Sequence, residues 1–355
     1  MEKSINIIFE KYKKLLLKEK LDGILLFDLS SRRHITHFNS SDGVVLVTPE
    51  DVYFIIDFRY YEAASGSQNY KCVKMNGGYI KTLRELVNSL KLCNIGINPA
   101  NVTLHKFELL KKQMPSAFFV QCAGIASVRY EKTPFEIENI KKAQGIAERA
   151  FLSLLKQIKI GVAEKDLADE LEYSMKKLGA EGCSFDTILI SGTKTSLPHG
   201  APDNSLVTRG ALTIDFGAKY NGLCSDTTRT VFVGEATKEQ QKVYNTVLDA
   251  QSEALKAIKA GAKCNAIDKI ARDIIDAEYP GAFGHSLGHS LGYDIHEPPN
   301  LSYADSTVLM PGNVVSVEPG IYIGGRFGVR IEDIVCVTDT GYQNLTALDK
   351  SITVI

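Results

Sequence analysis

Residues 211–235 read ALTIDFGAKYNGLCSDTTRTVFVGE, and the fold prediction starts from this segment. Asn221-Gly222 separates two strand-like runs and favours a type I′ hairpin turn, in which both central residues adopt positive φ. Pairing across the turn places Asp226 opposite Gly217 and puts Asp215 diagonally across from Asp226 on the same face. The two carboxylates are then about 7 Å apart or closer, a spacing that suits metal ligation. From the hairpin alone, a pair of solvent-facing aspartates remains the alternative interpretation.

Two glutamates also stand within apolar segments. Glu318 lies in VVSVEPG, and Glu332 lies in VRIEDIVCV. A carboxylate buried in such a segment costs free energy unless it has a partner. Arg330 shares the strand face of Glu332, so a structural Arg–Glu pair is the alternative to a metal site.

Three histidines lie within twelve residues, in the segment His285-Ser-Leu-Gly-His289-Ser-Leu-Gly-Tyr-Asp-Ile-His296. His285 and His289 have the i,i+4 spacing of a zinc pair on a helix. The glycines of this segment argue against a regular helix. A lone histidine is more often structural than a ligand, but three in one glycine-rich segment favour a site.

The metal-ligand candidates are Asp215, Asp226, His289, Glu318 and Glu332. Four carboxylates and one imidazole form a hard ligand set, which suits Mn²⁺, Co²⁺ or Zn²⁺ better than a metal that prefers thiolates. Two such ions about 3.5–4 Å apart lower the pKa of a water and polarise a carbonyl group. If the five residues converge, the chain is predicted to be a hydrolase.

Composition narrows the class of protein. The 355 residues suffice for two domains, and the net charge of −1 gives no electrostatic attraction to nucleic acid or to an anionic membrane. No segment reaches about 18 consecutive apolar residues, so no membrane span is expected. The seven cysteines form no CxxC pair, which indicates free thiols in a reducing compartment. The N-terminal segment lacks the continuous apolar stretch of a signal peptide, and we predict a cytoplasmic protein.

The first part of the chain has the pattern of a small α/β unit. Its predicted elements are a helix over about 2–19, strands on either side of the Pro-Glu-Asp turn at 49–51, helices near 79–91 and 102–113, and a short strand, NIGIN, between those helices. The pattern changes after Cys122, so we expect the domain boundary between Cys122 and Thr133.

The second part begins with a strong helix signal. Thr133, followed by proline and by a glutamate three residues later, forms a capping-box pattern, and Thr237 repeats this signal with a glutamine. Each signal opens a long helix that is followed by a glycine, a shorter helix and strands. The segments 133–216 and 237–335 are therefore predicted to form a pseudo-twofold repeat, with a site in the cleft between the halves.

Asp215, Asp226, GHSLGH, VEPG and RIED, in this order, resemble the pita-bread metallopeptidases, which include aminopeptidase P, prolidase, methionine aminopeptidase and creatinase. The resemblance covers about 130–355, and the segment 30–64 is similar to the creatinase-type N-terminal domain. It implies an α+β protein. A pita-bread catalytic domain with a pseudo-twofold repeat, residues 126–355, follows a smaller α/β creatinase-type domain, residues 1–125.

The resemblance also implies roles for the five ligand candidates. Asp215 would chelate one ion, Asp226 and Glu332 would bridge both ions, and His289 and Glu318 would complete the coordination of the other. Glu318 would in addition act as general base and then as general acid.

Four further residues match positions around the family's reaction centre. His296 would stabilise the developing oxyanion. His199, in LPHG, and His285 would line the substrate cleft. Arg330 would orient Glu332 and assist substrate binding.

Within the family, the N-terminal domain and the sequence around Glu332 resemble the proline-specific branch. The resemblance implies hydrolysis of the Xaa-Pro bond at the N-terminus of peptides, as by aminopeptidase P, with Xaa-Pro dipeptides also accepted. A strict prolidase is the alternative, followed by a methionine aminopeptidase and by a metal- or peptide-binding protein without turnover. Mn²⁺ is the preferred ion, with Co²⁺ or Zn²⁺ next, and a homodimer is expected from relatives.

Overall fold

The structure is a computed structural model that describes residues 2–355. Its contacts form two compact units, and the division falls between Arg129 and Tyr130. The domain bounds 1–125 and 126–355 stay our prediction. Across residues 2–355, no helix has both the length and the apolar character that a membrane crossing requires.

The N-terminal unit is built on a six-stranded sheet with helices. Its elements are α1 (Glu2–Glu19), β1 (Gly23–Leu26), α2 (Leu29–Thr36), β2 (Val44–Val47), β3 (Val52–Ile56), α3 (Phe58–Ser65), β4 (Lys71–Lys74), α4 (Tyr79–Ser89), β5 (Asn94–Ile97), α5 (Leu104–Gln113), β6 (Phe118–Gln121) and α6 (Gly124–Ser127). The strand order is β4-β3-β2-β1-β5-β6. β1 pairs parallel with β5 and antiparallel with β2, so the sheet is mixed.

Side chains of β1 alternate between two cores, as the period of a strand requires. Ile24 and Leu26 pack with Tyr12 of α1 on one face of the sheet. Leu25 packs with Leu83 of α4 on the other face. Both faces are therefore covered by helices, which confirms the predicted α/β unit.

The sequence patterns did not predict α2 and α3. Each helix has eight residues and begins at an aspartate, Asp28 or Asp57, whose side chain accepts a hydrogen bond from a backbone N–H of the first turn. Eight residues make little more than two turns, which is too short for a clear helical period of apolar residues.

The C-terminal unit carries long helices and several sheets. Its elements are α7 (Pro134–Leu154), α8 (Glu164–Lys177), β7 (Gly182–Cys183), β8 (Ile188–Ser191), a 3₁₀ turn (Gly192–Ser196), β9 (Gly210–Phe216), β10 (Ala218–Tyr220), β11 (Leu223–Cys224), β12 (Thr227–Val233), α9 (Lys238–Ala257), α10 (Cys264–Glu278), β13 (Gly288–Ser290), β14 (Glu297–Leu301), β15 (Val314–Val317), β16 (Gly320–Ile323), β17 (Phe327–Arg330), β18 (Asp333–Val337) and β19 (Tyr342–Asn344). Both predicted capping boxes are present, at Thr133 and Thr237. α7 ends at Leu154 and α9 ends at Ala257, and the chain leaves each helix through turns.

The two halves of this unit repeat one another. The order α7, α8, β8, β9, β12 corresponds to α9, α10, β13, β15, β18, and each set of three strands pairs antiparallel in that order. Gly161 and Gly261 occupy equivalent turns at φ of +86° and +85°. Their N–H groups donate to the carbonyl oxygens of Val207 and Leu309 in the matching loops. The predicted pseudo-twofold repeat is therefore confirmed.

The hairpin at Asn221-Gly222 has the predicted register. Both turn residues have positive φ, 48° and 81°. Lys219 pairs with Cys224 beside the turn, and further along Asp215 of β9 pairs with Thr228 of β12 in the same register. This register brings Asp215 next to the start of β12.

Candidate metal centre

Two carboxylates enter the centre from equivalent positions of the two halves. Asp226 directly precedes β12, and Glu332 directly precedes β18. The N–H of Glu332 donates to the carbonyl oxygen of Thr228 at 3.1 Å, so the starts of the two strands lie together. Both side chains are buried, with exposed fractions of 5% for Asp226 and 1% for Glu332. The pseudo-twofold repeat thus places one acidic side chain of each half at its centre.

His289 of β13 lies between two carboxylates. Its Nε2 is 3.5 Å from Oδ2 of Asp226 and 3.4 Å from Oε1 of Glu318. Its Nδ1 lies 3.1 Å from the carbonyl oxygen of Ser290, to which it donates. This hydrogen bond orients the ring and leaves Nε2 available as a ligand.

Glu318 follows β15 and is held by its own strand. The Ser316 hydroxyl donates to Oε1 of Glu318 at 3.0 Å and accepts the N–H of His289 at 3.0 Å. One serine therefore connects two of the predicted ligands. Sequence analysis did not identify Ser316, although its i−2 position on the strand of Glu318 could have indicated it.

Asp215 is held by Arg330. Nη2 of Arg330 donates to Oδ2 of Asp215 at 2.6 Å, and both groups are largely buried. Nε of Arg330 donates to the Thr228 hydroxyl, which in turn donates to Oε2 of Glu332 at 2.8 Å. Arg330 was expected to orient Glu332 itself. The contacts show that it reaches Glu332 through Thr228.

The five residues suit bound cations. Within residues 2–355, Oδ1 of Asp215 and Oε1 of Glu332 are buried and have no hydrogen-bond partner. Ligand atoms of Asp226, His289 and Glu332 all lie within 4.8 Å of one another, the one such group of three or more potential ligands in the described chain. Burial is expensive for an unpaired carboxylate oxygen. Free buried oxygens beside an imidazole nitrogen are what a divalent cation with oxygen and nitrogen ligands requires.

The electrostatics of the cluster also favour bound cations. Burial, and then the negative charges of the neighbouring carboxylates, raise the pKa of Asp226 and of Glu332 well above the ordinary values. Burial also raises the pKa of Glu318 to about 7 and lowers the pKa of His289, which keeps the imidazole neutral. So many acids facing one another need positive charge to remain ionised together.

A cavity of about 730 Å³ opens above the cluster. Its wall contains all five predicted ligands and also the other four predicted site residues, which are His199, His285, His296 and Arg330. The apolar part of the wall comes from Phe185, Ile188, Pro198, Pro202 and Ile295. The structure thus brings all nine residues of the sequence prediction to one cavity, which is large enough for a short peptide.

His296 and His285 take different positions in the wall. The His296 ring lies edge-on to the His289 ring, with 4.5 Å between centroids. His285 is set further back, where Nε2 accepts a hydrogen bond from the Tyr322 hydroxyl at 2.9 Å. Tyr322 in turn accepts from Nη1 of Arg330 at 2.8 Å. Burial lowers the pKa of His285 to about 4, so this ring is neutral.

Sequence analysis missed Tyr322 and Thr228. Tyr322 lies on β16 opposite Gly328, and β16 pairs with β17, which carries Arg330. Thr228 faces Asp215 across the β9–β12 pair. Neither has a motif of its own, because a hydroxyl near a metal centre is recognised only through the groups that it contacts in space.

Known proteins resemble this chain over both of its compact units. The profile of metallopeptidase family M24 matches residues 138–339, and that of the creatinase/prolidase N-terminal domain matches residues 9–130. An uncharacterized peptidase of Bacillus subtilis, YqhT, is 37% identical over 350 residues, which cover 98% of this chain and 99% of that protein.

Two solved structures are similar over almost their whole length. One is the Xaa-Pro dipeptidase from Bacillus anthracis, with a TM-score of 0.94 and 38% identity over 99% of this chain and 100% of the other. The second is the X-Pro aminopeptidase from Thermotoga maritima, with a TM-score of 0.90 and 38% identity over 95% of this chain and 98% of the other.

Proposed function

Because the chain belongs to metallopeptidase family M24, we propose that it hydrolyses the Xaa-Pro bond at the N-terminus of peptides and uses two divalent metal ions. The observation that carries this proposal is the cluster of four carboxylates and one histidine at the base of the cavity. Two of its buried oxygens, on Asp215 and Glu332, have no partner within the described chain. The names of the two similar structures support proline specificity.

The residues that would hold the ions are Asp215, Asp226, His289, Glu318 and Glu332. When bound, the ions supply a Lewis acid for the scissile carbonyl and lower the pKa of a water. Oxygen-rich ligation with one imidazole favours Mn²⁺, with Co²⁺ or Zn²⁺ next. Asp226 and Glu332 come from equivalent positions of the two halves, and the resemblance implies that both would be ligands of the two ions.

Other side chains handle protons and charge. Glu318, held at Oε1 by Ser316, would take the proton from the attacking water and return it to the leaving nitrogen. His296 lies beside His289 and faces the cavity, where an N–H donor stabilises the developing negative charge on the carbonyl oxygen. His199 would contact the substrate from the cavity wall.

Arg330 holds several groups of the site, and Tyr322 connects it to His285. The Arg330 side chain donates to Asp215, Thr228, Tyr322 and the carbonyl oxygen of Pro198. These bonds fix Asp215 and Glu332 relative to each other.

Proline has a fixed ring and no N–H once it is in a peptide bond. An apolar wall therefore selects it by the shape of the ring and because its nitrogen needs no hydrogen-bond acceptor.

The charged side chains of the cavity wall affect whether dipeptides or longer peptides are preferred. A dipeptide carries its carboxylate on the proline itself, whereas a longer peptide carries that charge further along its chain. Among the described residues that line the cavity there is no lysine and one arginine, Arg330, whose guanidinium already has four hydrogen bonds within the protein. An aminopeptidase P-like preference for longer peptides follows, with Xaa-Pro dipeptides accepted through the histidines. A strict Xaa-Pro dipeptidase is the alternative, which the B. anthracis relative's name favours.

The enzyme is further proposed to act as a cytoplasmic homodimer. This rests on the resemblance and on the cysteine content. All seven cysteines are free thiols, as a reducing compartment requires. Light scattering on the purified protein would measure the oligomeric state.

The deciding experiment is hydrolysis of Ala-Pro and Ala-Pro-Ala by metal-stripped enzyme, before and after addition of Mn²⁺. Metal-dependent cleavage of both, with faster cleavage of the tripeptide, is the expected result. Cleavage of Ala-Pro alone would identify a strict dipeptidase. If neither is cleaved by enzyme with two bound ions, the proposal is wrong, and Met-Ala peptides would be the next substrates to assay.

A further inference from the structure

A buried ion pair lies behind the segment that carries His296. Nζ of Lys132 donates to Oε2 of Glu297 at 2.8 Å, and the two side chains are only 1% and 2% exposed. Lys132 directly precedes the N-cap of α7, whereas Glu297 directly follows His296 and begins β14. The pair therefore connects the start of α7 to the residue next to a proposed catalytic histidine.

The Glu297 side chain also accepts a hydrogen bond from the loop that precedes it in sequence. Its Oε1 accepts the N–H of Asp294 at 3.2 Å, and the carbonyl oxygen of Asp294 accepts the N–H of Gly292 at 3.0 Å. On the strand side, Glu297 pairs with Ser290, the neighbour of His289. The Glu297 carboxylate thus holds the middle of the loop 291–296 at Asp294, and the strand pairing of Glu297 with Ser290 joins the two ends of this loop, whose last residue is His296.

Gly292 shows how closely the pair is packed against this loop. A Cβ atom at this glycine would lie 2.7 Å from Cε of Lys132 and 3.0 Å from Oε2 of Glu297. No side chain fits there without displacing the pair. The position of the loop and the position of the ion pair therefore depend on each other.

Stability alone gives a weak reason for such a pair. Desolvation of two charges offsets much of their attraction, and replacement of a buried pair by apolar groups is often neutral for stability. A buried pair with extra hydrogen bonds does restrict its neighbours to one geometry. The loop that presents His296 is the segment on which that restriction acts.

We propose that Lys132 and Glu297 are positioning residues for His296, which they hold at the distance from the scissile carbonyl that catalysis needs. This inference rests on the proposed function, in which His296 stabilises the oxyanion. A shift of about 1 Å in such a donor costs about a hundredfold in rate. On the loop side the hydrogen bonds of the pair lead to Asp294 and Gly292, and two ions are expected to stay bound when the pair is removed.

The test is a double-mutant cycle on hydrolysis of Ala-Pro-Ala by the Mn²⁺-loaded enzyme. The variants are Lys132→Met/Glu297→Gln, His296→Ala and the combination of all three. The paired substitution avoids an uncompensated buried charge, and the introduced glutamine keeps an acceptor for the N–H of Asp294. Glu297→Asp alone, which keeps the negative charge opposite Lys132 but shortens the side chain, serves as a second variant for the same cycle.

His296→Ala is expected to lower kcat by about 10²–10³-fold. The paired variant is expected to lower kcat by about 10–100-fold, with KM changed less than about twofold and two ions still bound. In the combined variant kcat should fall no further than in His296→Ala, because the pair acts through that ring.

Lys194→Met/Glu164→Gln is the matched control. Glu164 is also buried, and it likewise accepts one backbone N–H, from Ser191, and one lysine ammonium, from Lys194. This pair lies outside the metal cavity. Its removal should leave kcat within about twofold, and its effect should multiply with that of His296→Ala.

The possible outcomes distinguish a failure of this inference from a failure of the proposed function. If the effects of the Lys132/Glu297 variant and of His296→Ala multiply in the combined variant, the pair is structural and the inference is overturned while the proposed function stands. If His296→Ala leaves kcat unchanged, the role of His296 fails and the inference fails with it. A wild-type enzyme that cleaves no Xaa-Pro substrate would overturn the proposed function itself.

Discussion

The Thr228 hydroxyl connects the two halves of the metal centre. It donates to Oε2 of Glu332 and accepts from Nε of Arg330, which also holds Asp215. A single hydroxyl therefore transmits the position of Arg330 to Glu332. Because it is fully buried, loss of this group leaves both partners without a replacement from water.

Thr228→Val is the isosteric test of this role. We expect kcat/KM for Ala-Pro-Ala to fall about tenfold, which corresponds to about 1.4 kcal/mol and lies within the usual cost of an unsatisfied buried group. Thr213→Val is the control, since Thr213 is similarly buried on β9 and its hydroxyl meets that of Thr230 rather than a predicted site residue. Equal activities of the two variants would show that Thr228 has no special role.

The proposed bridging ligands make a stronger prediction. Asp226→Ala or Glu332→Ala is expected to lose one bound ion and most of the activity, because each removes a ligand of both ions. Metal analysis of the dialysed variants and their turnover of Ala-Pro-Ala measure the two effects. Near-normal turnover with two ions bound would contradict the site assignment.

The individual site residues were predictable to different degrees. The five ligand candidates and the four cavity residues were identifiable in sequence, because charged groups in apolar segments need partners and because the motifs around them resemble those of a known family. Thr228, Ser316 and Tyr322 were not, because hydroxyl groups are common and cost little in most surroundings. Only their hydrogen bonds to Glu332, Glu318 and Arg330 distinguish them.

The two capping boxes begin equivalent helices in different surroundings. At α7, Thr133 and Glu136 are buried, with exposed fractions of 2% and 0%. At α9, Thr237 is exposed. The same local hydrogen bonds are present at both sites, so any difference in their contribution to stability comes from burial.

Thr133→Ala is therefore expected to destabilise the protein by about 2 kcal/mol and Thr237→Ala by about 0.5–1 kcal/mol. Loss of the buried cap leaves donors that water does not reach, whereas solvent replaces the exposed one. Equilibrium urea unfolding of the metal-free variants measures both changes. A larger loss for Thr237→Ala would contradict the argument from burial.

The hairpin was the most predictable element. Asn-Gly favours a turn with positive φ at both residues, and the turn then determines the register of every pair that follows. Asp215 opposite Thr228 is the consequence. The short helices α2 and α3 were less predictable, because aspartate caps are common and eight residues contain little periodicity.

Metal binding and the stability of the whole protein are expected to be coupled. In the metal-free protein, Asp226, Glu318 and Glu332 face one another in a buried cluster, and burial with mutual repulsion raises the pKa of each. Ions that bind the folded chain relieve this repulsion. A hundredfold excess of ion over Kd stabilises the folded state by about 2.7 kcal/mol.

Thermal unfolding with and without Mn²⁺ tests this coupling. The wild type is expected to melt at a higher temperature with Mn²⁺. Glu332→Gln is expected to melt at or above the wild-type temperature without metal, because one negative charge is removed, and to gain less from Mn²⁺. Exposed Glu253→Gln is the control and should behave as the wild type. An equal Mn²⁺ effect in Glu332→Gln would show that Glu332 does not bind the ions.

The amino-acid sequence by itself determined the repeat, the two helix starts with capping boxes, the hairpin register and the identity of the metal-ligand candidates. Each of these depends on residues close in sequence, or on a charge whose burial demands a partner. The cavity, the Arg330–Tyr322–His285 chain and the Lys132–Glu297 pair emerged only from the tertiary structure. The cavity and the Lys132–Glu297 pair join residues from both halves, which meet when the halves fold around the pseudo-twofold axis. The Arg330–Tyr322–His285 chain joins the β16–β17 hairpin to the loop before β13, and no local pattern predicts that contact.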